Sequence, residues 1–130
     1  MEQQQFNIPT ITIDEEFISI FSEESHEQIT MGGMMLTNRI NAQNLRLRES
    51  KPGYVSNFHV AGDPTLIIVQ QGTLRITLQN GESKDFSSGD LFIAKDYLLD
   101  SIDFDPTIHG HKAEVFGNKL FKAVHVKLSH

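Results

Sequence analysis

The feature that most constrains this chain is the rhythm of its apolar runs from Leu45 to Leu128. Short alternating or continuous apolar segments recur about every eight to twelve residues, separated by Gly, Pro and Asn, and no segment of useful length carries the helical period. That spacing predicts an all-β sandwich or barrel. Leu45, Leu47 and Glu49 alternate with Arg46, Arg48 and Ser50, the period of a half-buried strand, and Pro52-Gly53 ends it. Tyr54 to Val60 is expected as the next strand, with Val55, Asn57 and His59 on one face. Leu66 to Val69 is a continuous apolar run suited to a core strand. Leu74 to Gln79 alternates, and Asn80-Gly81 predicts a two-residue hairpin. Ser88-Gly89-Asp90 is a turn before the apolar run Leu91 to Ala94. Lys95 to Ile108 is one long acidic loop whose Asp96, Asp100, Asp103 and Asp105 read as solvated. His109 to Phe116 and Leu120 to Leu128 are two further strands joined by Gly117-Asn118.

The first forty residues are less regular. Met1 to Pro9 reads as a polar, frayed terminus with Phe6 and Ile8 as docking residues. Ile11, Ile13, Phe17, Ile18, Ile20 and Phe21 favour strand, against a short helix opened by Asp14-Glu15-Glu16. Ser22 to His26 reads as a turn and Gln28 to Met31 as a short strand. Gly32-Gly33 breaks it, and Met31, Met34 and Met35 around the break are read as gap-filling core rather than as an adaptable binding surface.

Composition narrows the function classes. A chain of 130 residues with 38% apolar and 22% charged residues is expected to form one structural domain: residues 1–40 as N-terminal strands or an arm packing on the barrel or a dimer partner, and 41–130 as the barrel. A net charge of −6, with no Lys or Arg before Arg39, argues against nucleic acid as a partner. The acidic start lacks the pattern of a secretory leader, and Leu66 to Val69 is far too short to span a bilayer, so no membrane partner is expected. With no cysteine there is no disulfide framework or thiolate chemistry, and a cytoplasmic address is expected.

The stretch Gly53 to Gly72 carries a lone His59 between its glycines at a telling spacing: five residues separate Gly53 from His59. Gly89-Asp90 and Gly110-His111 follow downstream. In these residues the chain resembles the cupins, whose first motif runs Gly, five residues, His-x-His, then Glu and a closing Gly, and whose second begins Gly-Asp with a later His. Ala61 stands at the second His position and Thr65 at the Glu position. Lys95-Asp96-Tyr97 replaces the usual Pro-x-Gly, and Val115 stands where the family has Asn. The chain is similar over nearly its whole length to small single-domain cupins of unassigned function, through Ser25-His26, Phe58-His59, Asn80-Gly81-Glu82, Phe86 and Gly110-His111.

The resemblance implies a cupin-type jelly-roll β-barrel with additional N-terminal strands. It also implies a small-molecule pocket lined by Asn57, His59, Ala61, Thr65, His111 and His125, and a homodimer with Ile11, Ile13, Phe17 and Phe21 at the interface. Cupin metal sites use three His and one Glu. This sequence offers either no metal, or one divalent ion (Fe, Mn, Ni or Zn) on His59, His109 and His111, since residues two apart on a strand share a face. The expected function is small-molecule binding with a degenerate metal motif; the alternative is a metal-dependent enzyme of the dioxygenase or isomerase type. Without metal, His59 and His111 have the chemistry of a general acid and base. Whether the chain is an enzyme, which residues would be catalytic and what the Lys95–Ile108 loop does stay open at this stage.

Overall fold

In β-structure successive side chains point to opposite faces, so the regular alternation of Leu74, Ile76 and Leu78 with Arg75 and Thr77 dictates one buried and one outer face. The computed structural model, which describes residues 4–130, builds the whole chain on that rule. Among the described residues ten strands form: β1 (Gln5–Ile13), β2 (Ser19–Met31), β3 (Met34–Thr37), β4 (Ala42–Ser50), β5 (Thr65–Gln71), β6 (Thr73–Leu78), β7 (Ser83–Ser87), β8 (Leu91–Ala94), β9 (His111–Phe116) and β10 (Phe121–Leu128). They make a seven-stranded sheet in the order β3-β2-β1-β8-β5-β10-β4 and a three-stranded sheet in the order β7-β6-β9. No helix forms among the described residues, so none is long and apolar enough to cross a membrane.

From β5 onward the chain passes repeatedly between the two sheets, which is the jelly-roll arrangement expected from the sequence. Gly72 makes the first crossing. Its φ is +82°, and a Cβ there would lie 3.0 Å from the Leu120 carbonyl oxygen, so only glycine fits without a shift. Between the sheets Val69, Leu74, Ile76, Phe92 and Phe121 are almost wholly buried, each contributing about 1.5–3 kcal/mol of apolar burial, and Phe86 stacks on Phe92 with ring centroids 4.2 Å apart. Ile93, between Phe92 and Ala94, points to the other side of the large sheet and packs there with Ile8 and Leu128.

The N-terminal residues are more regular than the sequence suggests. Gln5 to Pro9 belongs to β1, paired with β2 along its length, with Ile8 buried; Met1 to Gln3 lie outside the described residues. Ile11 is fully buried in the main core, because β1 pairs with β8 inside the large sheet, and so it is not free to face a partner. The strand reading of Ile11–Phe21 holds on both sides of a turn. There Asp14 Oδ1 accepts the N–H groups of Glu16 and Ile18, and Phe17 takes φ +63°. Ser22 to His26 is not a turn but the middle of β2. Gly32 and Gly33, both at positive φ, close a β2–β3 hairpin, and Met31, Met34 and Met35 lie exposed on it rather than in the core.

Two further differences bear on the site. Asn80-Gly81 does turn the β6–β7 hairpin, but Leu78 N–H pairs with the Glu82 carbonyl and only Gly81 has positive φ. This is the longer loop with a glycine bulge rather than the two-residue turn. Tyr54 to Val60 makes no continuous strand; it touches β9 at two isolated bridges, Val55–Glu114 and His59–His111. Ser56 causes the interruption: its Oγ, not a backbone carbonyl, accepts the Ala113 N–H at 2.9 Å.

Candidate ligand-binding site

The second of those bridges builds the site. His59 N–H donates to the His111 carbonyl and His111 N–H to the His59 carbonyl, both at 2.9 Å, which puts the two side chains on one face of the sheet. Their rings sit 4.6 Å apart, centroid to centroid. Gly110 permits the approach: its φ is +85°, and a Cβ would fall 2.6 Å from the His59 carbonyl oxygen.

Each imidazole is oriented by its Nδ1. His59 Nδ1–H donates to the Asn57 carbonyl at 2.9 Å. His111 Nδ1–H donates to Asp96 Oδ2 at 2.7 Å, in a pair where His111 is 4% and Asp96 0% exposed. Asp96 is fully engaged: Ser19 Oγ donates to Oδ2 at 2.6 Å, and the Ala61 N–H to Oδ1 at 2.9 Å. The solvated reading of the loop therefore fails at its first aspartate. Asp96 follows β8 directly and turns into the fold, a buried carboxylate kept tenable by three donors. In both rings Nε2 is the nitrogen left for a ligand.

A third wall comes from β10 and β4. His125 shares the inward face of Phe121 and Ala123. Arg48 pairs across from Ala123 and so points to that same face, while Leu45 and Leu47 point out, Leu47 78% exposed. Arg48 Nε donates to Ser50 Oγ at 3.0 Å, and its Nη1 lies 3.4 Å from His125 Nε2, a long bond from guanidinium to imidazole. The guanidinium carbon stands 5.3 Å from the Tyr54 ring and 5.1 Å from that of Phe121. Burial, then the charges of Arg48 and Arg46, push His125 below its ordinary value. Burial also lowers Arg48, against an opposing influence of Tyr54, but a guanidinium stays charged.

These groups enclose a cavity of about 200 Å³ floored by Ile67, Leu74, Ile76 and Phe92, with Ala61, Thr65, His59, His111, His125 and Arg48 around it. Of the residues expected there, Asn57 is not part of the lining. Its carbonyl holds His59, and the residue lines an outer depression with Val55, Phe58 and Phe104. His109 is also turned away. Strand β9 begins only at His111 and Gly110 interrupts the alternation, so the two rings do not share a face; His109 Nδ1 instead accepts the Asp105 N–H at 3.0 Å. His26 pairs with Glu24 on β2, away from the cavity. Asp96 and Arg48 are the members that sequence reasoning missed.

The donor set does not fit a divalent metal. Among the described residues no three His, Asp or Glu side chains converge as ligands. The third imidazole lining the cavity, His125, already accepts from a guanidinium whose charge opposes a cation.

No family model matches the chain, and no curated protein matches it in sequence. Solved structures do match. The cupin domain of Cnp3 from Schizosaccharomyces pombe superposes with a TM-score of 0.50 at 9% identity, covering 99% of this chain and 90% of that one. A protein of unknown function from Vibrio parahaemolyticus gives 0.43 at 11% identity, covering 97% and 98%. A Salmonella typhimurium protein ascribed to ethanolamine utilization gives 0.40 at 11%, covering 98% and 96%. With its two sheets, its strands passing between them and its correspondence to the Cnp3 domain from end to end, this chain has the cupin jelly-roll fold.

Proposed function

We propose that the protein is a small-molecule-binding cupin whose ligand occupies the cavity beside His59 and His111. One observation carries this reading: an apolar-floored cavity of about 200 Å³ onto which three imidazoles and a guanidinium converge. Backbone NMR during a fragment screen tests it. Shifts clustered on Ala61, Thr65, Ala113 and His125 are the expected result, and a library that moves none of them overturns the reading. The address proposed with it is the cytoplasm, which fractionation of cells expressing a tagged chain checks.

A second reading, an enzyme working by general acid–base chemistry, is favoured by the Asp96–His111 contact. A buried carboxylate on Nδ1 fixes the tautomer and leaves Nε2 to exchange a proton with a bound molecule. Once a ligand is known, His111→Gln distinguishes the two: an enzyme loses turnover at nearly constant affinity, whereas a pure binder loses affinity alone.

The homodimer belongs to the same proposal. Leu45 and Leu47 on the outer face of β4, and Ile29, Met31, Met34 and Leu36 on the β2–β3 hairpin, are exposed apolar side chains at the two open ends of one sheet. A second copy is the occupant that offers both surfaces at once. Sedimentation at micromolar concentration is expected to give a dimer that Leu47→Glu dissociates without changing the fold; a monomeric wild type sinks it.

A further inference from the structure

We propose that the ligand is a small carboxylic acid with an apolar body, its carboxylate held by Arg48; this rests on the small-molecule reading above and names the class of molecule. Arg48 is a half-buried cation with no carboxylate partner among the described residues. Glu49, next to it in sequence, alternates to the outer face of β4, and Asp96, the buried carboxylate behind His111, has both oxygens taken by Ser19, Ala61 and His111. Holding a cation partly out of water without a counter-ion is unfavourable, and a bound anion relieves that cost.

The geometry also selects the kind of anion. Ser50 Oγ and His125 Nε2 engage Arg48 Nε and Nη1, and the rings of Tyr54 and Phe121 flank the guanidinium, so its plane is set before any ligand arrives. What remains is chiefly Nη2. A single guanidinium with two of its nitrogens committed to neutral partners suits the one charge of a carboxylate. It is poorly equipped for a phosphate dianion, which calls for several further donors or a second cation. The cavity floor selects the rest of the molecule: Ile67 and Phe92 on the sheet that carries Arg48, and Leu74 and Ile76 on the facing sheet, offer hydrocarbon and no hydrogen bonds, so the body resting on them is apolar. His59 and His111 offer the ligand Nε2, the atom that their Nδ1 contacts leave free.

The test compares benzoate and 3-methylbutanoate with their primary amides and with inorganic phosphate, by calorimetric titration and by NMR shifts at Ala113 and His125. The acids are expected to bind at least tenfold more tightly than the amides, the effect of one charge-assisted hydrogen bond. Arg48→Gln is expected to abolish that preference, and Arg48→Lys to restore part of it. Amides that bind as well as acids, a preference for phosphate, or an acid preference that survives Arg48→Gln each overturn the assignment. Because the acid–amide comparison is made on the wild-type chain, it stands even if a variant folds poorly. Amides that bind in the cavity without an acid preference refute the carboxylate alone; binding by none of the probes refutes this proposal, and only silence from the whole fragment library refutes the small-molecule reading beneath it.

Discussion

Replacing Asp96 by alanine removes the acceptor of three hydrogen bonds at a position with no exposure, those from Ser19 Oγ at 2.6 Å, Ala61 N–H at 2.9 Å and His111 Nδ1–H at 2.7 Å. The Ser19 hydroxyl can rotate, but the backbone amide and the imidazole stay where the fold holds them. Each donor left unpaired costs about 1–3 kcal/mol, and the void left by the carboxylate adds to this, giving a loss of about 3–5 kcal/mol. For a domain of this length that is a fall in Tm on the order of 10–20 °C. The chain has no tryptophan, so urea unfolding at pH 7 is followed by far-UV circular dichroism. Asp96→Asn separates packing from charge. Its Oδ1 still accepts from Ala61, but the amide NH₂ now faces His111, which must become an acceptor at Nδ1 and carry its proton on Nε2. The expected cost is only about 1 kcal/mol, accompanied by an inverted His111 tautomer in imidazole ¹⁵N spectra. An alanine variant within 1 kcal/mol of wild type, or an asparagine variant whose His111 keeps its proton on Nδ1, refutes the account of Asp96 as the group that sets this ring.

Three further outcomes follow from the same geometry. Gly110→Ala drives a Cβ to 2.6 Å from the His59 carbonyl at φ +85°, so it is expected to cost more than about 2 kcal/mol and to part the two imidazoles, seen as lost stability and altered His59 and His111 resonances. His125 is held below its ordinary value by burial and by Arg48 and Arg46, so the unfolded chain takes up its proton first as pH falls. Its contribution is complete above the unfolded value of about 6.5 and is lost as pH drops through the lower folded value; His125→Gln is expected to flatten unfolding curves in that acidic window and leave them unchanged above it. Ala61→His combined with Thr65→Glu adds an imidazole and a carboxylate to the cavity wall beside His59 and His111, and is expected to confer stoichiometric Ni²⁺ or Zn²⁺ binding by calorimetry. Micromolar binding of either ion by the wild-type cavity contradicts the judgement that its donors do not fit a metal.

The sequence carried the fold well because β6, β8, β9 and β10 alternate or run apolar in the way buried strands must, and Gly53, Gly72 and Gly89 punctuate them at positions where the backbone needs positive φ. It carried less of the site, for reasons that can be named. A rule that turns apolar residues inward sends Leu45 and Leu47 to the core and Arg48 to water, whereas β4 presents its arginine face to the cavity and its leucines to the outside. Pattern alone does not give the sign of an alternation on an edge strand, where either face has somewhere to go. Asp96 was hidden by its neighbours: read with Asp100, Asp103 and Asp105 it looks like part of a charged surface loop, and only its partners, one of them Ser19 some 77 positions away, explain its burial. His109 failed in the other direction, since period-two reasoning assumed a strand that Gly110 does not allow to begin before His111. The exposed methionines of the β2–β3 hairpin could not be told from core by composition, because the hairpin's extension past the end of β1 is a property of strand length rather than residue type.

Among the described residues strand β4 has one neighbour, β10, and lies at the margin of the large sheet. Its hydrogen bonds are therefore among the first to open in native-state fluctuations, well before those of β5 or β8, which are bonded on both sides. Yet β4 is also the strand that carries Arg48. The cavity wall thus includes an edge strand: opening β4 would withdraw the guanidinium and admit solvent, and a molecule held by Arg48, as proposed, would make that opening costlier. Occupancy should register as slowed amide exchange along Ala42–Ser50, so that the edge of the sheet reports on the contents of its interior.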